Sequence, residues 1–314
     1  MMLKFKKGVP VSIRYIVPCL VSLASPLLAT DYAFLNEDAF VRQDTIWHFE
    51  SDFSKVGAAE MTTGETSGSK MHYSEGNASI YFSHFIGKEN ALAWQLGANY
   101  VGFDWDKNPT FNDSNYVYGI TSLNWISYSI DKWRWVFNGG VSVDTKTFNF
   151  GKSGVYFATA WGRATINKSL GLHVGFFAYY GALNGYVLPI LGADYWATPK
   201  WELRAVFPLD ASINYHFNKH FTTSILATSM GGPYRFPRRI HGGSSEFEDG
   251  IFKVYSTAVE WDVKFAEKDM VSLGAGAGYD FGGWIQVANS EGHNKTYYDF
   301  DGAPYGRVFA TLTF

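Results

Sequence analysis

Nine charged residues occupy positions where a two-residue alternation sets them opposite apolar neighbours: Arg134, Asp144, Arg163, Glu202, Arg204, Glu260, Asp262, Lys264 and Arg307. In WRWVFNGGVSVD, Trp133, Trp135, Phe137, Val141 and Val143 alternate with Arg134, Asn138, Ser142 and Asp144. In WELRAVF, Trp201, Leu203, Ala205 and Phe207 oppose Glu202 and Arg204, and in IFKVYSTAVEWDVKF, Tyr255, Val259, Trp261, Val263 and Phe265 oppose Glu260, Asp262 and Lys264. Successive side chains of a strand point to opposite faces, so these charges share one face of a sheet whose other face is apolar. Five bases against four acids can pair across a packed interior. Alternatively, they can line a water-filled pore with a transverse field and little net selectivity.

The other groups with chemical potential are weaker. Ser83 stands beside His84, but neighbours on a strand face opposite ways and cannot form a nucleophile–base pair. No G-x-S-x-G occurs. The eight histidines are scattered and no two have metal-ligand spacing. No catalytic residue, metal or cofactor is expected, and the chain is read as a non-enzyme. A basic cluster in YRFPRRIHGG (Arg235, Arg238, Arg239, with His241) precedes the acidic SSEFEDG (Glu246, Glu248, Asp249). The segment reads as a loop at a mouth, self-neutralising in solvent or folded inward to bind anionic solutes or lipopolysaccharide phosphates through its arginines.

The elements that must carry these residues are strands. The N-terminus MMLKFKKGVPVSIRYIVPCLVSLASPLLATDYAF has the layout of a secretory signal peptide over 1–29: basic Lys4, Lys6, Lys7 and Arg14, then an apolar run, then small residues. That run is broken by Pro18 and Pro26 and is too short for a helical span. Removing it takes away four bases and no acid, so the exported chain is more acidic than the formal −3 and has no nucleic-acid character. It also takes away the one cysteine, Cys19, so no disulfide supports the fold. Nowhere else do 18 apolar residues run together, yet the chain holds 26 Phe, 20 Tyr, 11 Trp and 32 Gly. An exported, aromatic-rich chain without disulfides fits an outer-membrane barrel, whose aromatic girdles sit at both interfaces. A soluble β-sandwich would alternate in the same way.

Connection lengths separate the two architectures. Tight polar turns near residues 88, 131, 167, 198, 218 and 267 alternate with looser connections at 59–69, 106–115, 151–154, 182–185, 236–250 and 284–302. Short periplasmic turns and longer outer loops are the asymmetry of outer-membrane barrels. Six inner turns with both termini inside predict 14 antiparallel strands in an up-and-down barrel over 44–314, after a periplasmic leader at 30–43. The doubtful stretch is WELRAVFPLDASINYHF: split at Pro208, it gives two strands below the roughly 9–11 residues of a spanning strand. Merging strands elsewhere would give 12.

The terminal YGRVFATLTF alternates Gly306, Val308, Ala310 and Leu312 with Tyr305, Arg307, Phe309, Thr311 and Thr313 before Phe314. It reads as the strand that closes the ring on the first. With Leu312 and Phe314 it resembles the signal read by the outer-membrane assembly machinery. Beyond this, Pro189 and Gly192, Thr198–Lys200, Trp201, Leu203, Arg204, Phe207–Pro208, and Ile213, Tyr215 and Phe217 form a pattern. Over residues 187–236, which end on GGPYRF (231–236), that pattern resembles a family of uncharacterised bacterial outer-membrane β-barrel proteins, a domain of unknown function. The resemblance implies fold and compartment; the family has no established activity to lend. The expected role is a porin-like passive channel for small hydrophilic solutes, in contact with outer-membrane lipid and lipopolysaccharide. A non-channel surface barrel with a structural or adhesive role is the alternative.

Overall fold

Alternation of β-branched and aromatic residues with small or polar ones gives each segment one face for an interior and one for an apolar exterior, and the backbone follows. The computed structural model describes residues 46–106, 115–146, 148–181, 185–208, 210–236, 250–267, 270–289 and 291–314. The signal-peptide and leader readings (1–29, 30–43) lie outside these residues.

The strands are β1 (Ile46–Glu60), β2 (Lys70–Ile86), β3 (Asn90–Trp105), β4 (Asn115–Ser127), β5 (Trp133–Asp144), β6 (Val155–Asn167), β7 (Leu170–Tyr180) and β8 (Gly185–Thr198). They continue with β9 (Trp201–Phe207), β10 (Asp210–His216), β11 (Phe221–Met230), β12 (Pro233–Phe236), β13 (Gly250–Glu267), β14 (Val271–Ala288), β15 (Thr296–Phe300) and β16 (Ala303–Thr313). Each strand from β1 to β11 pairs antiparallel with the next; β11 pairs with β13, β13 with β14, and β14 with β16. The ring closes where His48 of β1 faces Thr313 of β16, and backbone bonds between Trp47 and Phe314 extend that seam. The result is a closed 14-strand antiparallel barrel; the 12-strand alternative falls.

The two extra segments are broken continuations. The sequence reads 220–235 as one strand, but the chain turns at Gly231 (φ 108°), a left-handed backbone that disfavours any side chain. A Cβ there would also strike the Val254 carbonyl. Segment β12 pairs with β13 alone. Likewise β15 precedes β16 and pairs with β14, where the sequence suggests a loop. The stretch around Pro208 does split: β9 and β10 have 7 residues each, while β13 and β14 have 18. The wall is therefore tall on one side and low on the other.

The outer face is apolar. Trp94, Leu96, Leu123, Trp125, Leu172, Val187, Leu191, Ile225, Trp261 and Val308 are all exposed there. Aromatic pairs gather near the short turns, as in Trp47–Phe82 and Trp201–Tyr215, and others sit toward the far end, as in Phe53–Tyr100 and Tyr279–Phe281. An apolar band between two aromatic girdles is the surface a bilayer requires of a barrel.

Candidate functional site

The interior of the barrel is the candidate site. All nine alternating charges point into it, on the strand faces that carry the buried residues. Ser83 is buried on the inner face and His84 is exposed on the outer one, so the two stay apart.

The balance of charge differs from the sequence reading. Glu50, Asp52, Glu75, Asp194, Asp210 and Asp280 also turn inward, as their partners show. Tyr81 donates to Glu50 and Asn77 to Asp52 (3.0 Å); Tyr73 (2.8 Å) and the Gly231 N–H (3.2 Å) donate to Glu75; Ser256 donates to Asp280 (2.5 Å). The interior is acidic, not nearly balanced. For Glu50, Asp52 and Glu75 the alternation is faint, because outer positions such as Ser51 and Lys55 on β1 and Ser74 on β2 are not apolar; Asp194, Asp210 and Asp280 stand among apolar outer neighbours, as Asp280 does between Tyr279 and Phe281, and their alternation is legible.

Several bases are engaged. Arg163 grips Asp194 with two parallel bonds of 3.0 and 2.5 Å, and His173 reaches the same carboxylate while stacking on Trp161 (5.2 Å between centroids). A planar guanidinium fits a carboxylate in that way, which holds Arg163 in one pose. Arg204 pairs with Asp210 at 3.1 Å, and Arg307 approaches Asp52 at 3.5 Å while lying over the Phe309 ring. Glu202 accepts from Asn214 at 3.1 Å and stands 3.5 Å from His216. Glu260 and Asp262 follow each other inward on β13 beside Arg307 and Lys264; Glu260 is fully buried. Arg134 lies directly across from Arg163 in the β5–β6 register, and Asp144 caps the outer end of β5, accepting from the Lys146 N–H.

Counted along the strands from the short turns, most of these charges fall in the nearer half of the barrel. The farther half is mostly apolar and aromatic, with Glu75, Asp144 and Arg235 set into it. Tyr73, Phe103, Trp105, Tyr116, Tyr118, Tyr234 and Phe252 belong to one buried cluster there. Its contacts cross the barrel: Tyr234 of β12 meets Tyr116 and Tyr118 of β4, and the Tyr73 and Tyr234 hydroxyls lie 3.3 Å apart. Arg235, expected on a mouth loop, instead lies buried. Its N–H donates to the Tyr118 hydroxyl (2.7 Å) and its guanidinium to the Lys152 carbonyl (2.7 Å) in the single helical turn Phe150–Ser153. So β12 spans the mouth, turned inward at Gly231. Beneath it a cavity of about 60 Å³ is bounded by Asp52, Glu75, Asn77, Asn99, Tyr118 and Tyr234. Arg238, Arg239, Glu246 and Glu248 lie outside the described residues.

A ladder of neutral polar groups runs along the wall from β2 to β5. Gln95 bonds Ser79 (3.1 Å), Tyr81 (2.9 Å) and Ser122 (2.6 Å), and Asn138 bonds Ser122 (3.1 Å) and Asn124. Among the described residues no group of three metal-binding side chains converges.

Taken together, the register, the apolar exterior and the polar, charged interior define a β-barrel of the outer-membrane kind. No family model matches the chain. An uncharacterized protein of Chlamydia pneumoniae is 25% identical over 209 residues, covering 65% of this chain and 64% of that protein. An uncharacterized protein of Chlamydia trachomatis is 22% identical over 287 residues, covering 85% and 86%. Among solved structures the chain is similar to an outer membrane channel from Pseudomonas putida F1 (10% identity, 88% of this chain and 98% of that one, TM-score 0.48). It is also similar to KdgM porin (8%, 84% and 99%, 0.33) and to the translocator domain of the autotransporter NalP from Neisseria meningitidis (11%, 94% and 99%, 0.38). The barrel assignment stands on the strand register itself, and these likenesses add nothing about what the chain carries.

Proposed function

We propose that the chain is an outer-membrane channel for small hydrophilic solutes, exported through a signal peptide at 1–29 and narrowed at its mouth by β12. The supporting observation is the interior: charges that would be costly toward lipid stand instead on the inner face of a 14-strand wall. Arg238 and Arg239 of the 236–250 segment are the residues proposed to meet anionic solutes or lipopolysaccharide. Leu312 and Phe314 would serve the assembly machinery. Refolded protein in a planar bilayer tests the reading: reproducible conductance steps are expected, and a folded, heat-modifiable barrel that passes no current overturns it.

One observation favours the alternative of a non-channel surface barrel. The aromatic contacts across the mouth resemble a packed core more than a constriction. Silence in the bilayer, both for the native chain and for variants with Tyr234 truncated, would decide for that alternative.

A further inference from the structure

We infer that the outer face of β8 to β11 binds one anionic phospholipid of the inner leaflet, its phosphate on the turn lysines Lys168, Lys200 and Lys219 and an acyl chain in a groove above them. The inference rests on the barrel spanning an outer membrane with its short turns toward the phospholipid leaflet.

The groove follows from the strand register. Ala193, Ala205, Ala211 and Ala227 are direct partners across β8, β9, β10 and β11, so four small outward side chains stand side by side. The next row toward the turns is large: Tyr195, Leu203, Ile213 and Ile225 are partners in the same order, and all are exposed. A step from methyl groups to large side chains leaves a hollow, and these residues line one of about 510 Å³. Clefts of that size hold small ligands. Lipid has to fill it, because a void beside the wall forfeits its contacts.

The head group is placed by the turns. At roughly 2.5 Å of height per residue for a tilt of about 40°, Lys200 lies about 13 Å below the alanine row, a span one acyl chain covers within its leaflet. Between them stand Trp201 and Tyr215, ring centroids 4.7 Å apart, at the level of an aromatic belt. The three turns are consecutive along the rim. Asn167, Thr198 and Asn218 accept backbone N–H groups of their own turns (2.8, 3.2 and 2.8 Å), and the lysine of each is exposed. Among the described residues no acid pairs with these lysines; Glu202, close by in sequence, turns inward and accepts from Asn214. Elsewhere on the rim acids accompany the lysines: Glu89 follows Lys88, Asp131 precedes Lys132, and β13 ends on Glu267. Hollow and acid-free basic sector therefore coincide. Lysines at that height favour an anionic head over a zwitterionic one. A second copy fits poorly, since a two-fold contact on this face sets lysines against lysines.

The test is native mass spectrometry of the refolded mature chain in micelles, offered phosphatidylglycerol or phosphatidylcholine with the same acyl chains. One phosphatidylglycerol is expected to be retained roughly tenfold more than phosphatidylcholine. Lys168→Gln with Lys200→Gln and Lys219→Gln should abolish that preference, whereas Lys88→Gln with Lys132→Gln should leave it intact. Ala205→Phe, which fills the hollow, should lower phosphatidylglycerol retention; if it migrates as unfolded, Ala227→Leu takes its place with the same expectation. Equal retention of the two lipids, a preference that survives the triple substitution, or a dimer in place of the lipid adduct overturns the site. Insertion into phosphatidylcholine vesicles is scored separately: a chain that inserts but shows no preference loses only the site, and one that fails to insert overturns the membrane reading and the site together.

Discussion

The Arg163–Asp194–His173 triad shows what the inner charges do before any solute is considered. Asp194 is nearly buried and takes two bonds from Arg163 and one from His173, so its neighbours depend on it for a partner. Removing one member of a buried ion pair strands the other charge, which costs about 3–5 kcal/mol. Asp194→Asn is therefore expected to lower unfolding stability by about that amount in denaturant titration of the refolded barrel. The pair Asp194→Asn with Arg163→Met should recover much of the loss, because no orphan guanidinium remains. If the double variant is no more stable than Asp194→Asn, the pairing is not what holds this wall together. Arg204 with Asp210 is a weaker case: both are about a quarter exposed, and water screens them.

At the scale of elements, β12 decides how open the mouth is. Its inward course depends on Gly231, whose φ of 108° suits glycine alone and whose Cβ position is filled by the Val254 carbonyl. It is then held by Tyr234 against the β4 tyrosines and by the Arg235 N–H on Tyr118. Gly231→Val and Tyr234→Ala should both loosen that hold and raise single-channel conductance roughly twofold or more, since a pore is limited by its narrowest section. Unchanged steps in both variants would place the constriction elsewhere. This element was hidden in the sequence: GGPYRF continues the alternation of β11, and only the pairing partner distinguishes a strand in the wall from one across the mouth. The low wall was half visible, because Pro208 divides WELRAVFPLDASINYHF into two short alternating pieces. The closing strand was fully legible, since its period-2 pattern is clean and its partner β1 is the one strand left to pair. Inner charges could be read where the outer positions are large and apolar, as around Trp201 and Trp261, and those of β1 and β2 were hidden where Ser51, Lys55 and Ser74 break the pattern.

At the scale of the molecule, the excess of inner carboxylates would set the sign of the field that an ion meets in the proposed channel. Five inward bases from the alternation face not four acids but ten, once Glu50, Asp52, Glu75, Asp194, Asp210 and Asp280 are counted with Asp144, Glu202, Glu260 and Asp262. Arg235 adds one base at the mouth, but Tyr118 and the Lys152 carbonyl engage it there. Low-dielectric walls focus the field of charges that line a narrow path, so the surplus acts on the solute more strongly than the same charges would on an open surface. Cations should therefore pass more readily than chloride, and under a KCl gradient the reversal potential should lie toward the potassium equilibrium value. The preference should shrink as salt rises, because screening shortens from about 10 Å at 0.1 M to about 3 Å at 1 M. Asp52, Glu260 and Asp262 cluster around Arg307 and are the residues to neutralise. Replacing all three with their amides should move the reversal potential toward zero or past it, with the fold retained by heat-modifiable migration. A chloride preference in the native chain would mean that the inner carboxylates are spent on pairing and that the path runs past the bases instead.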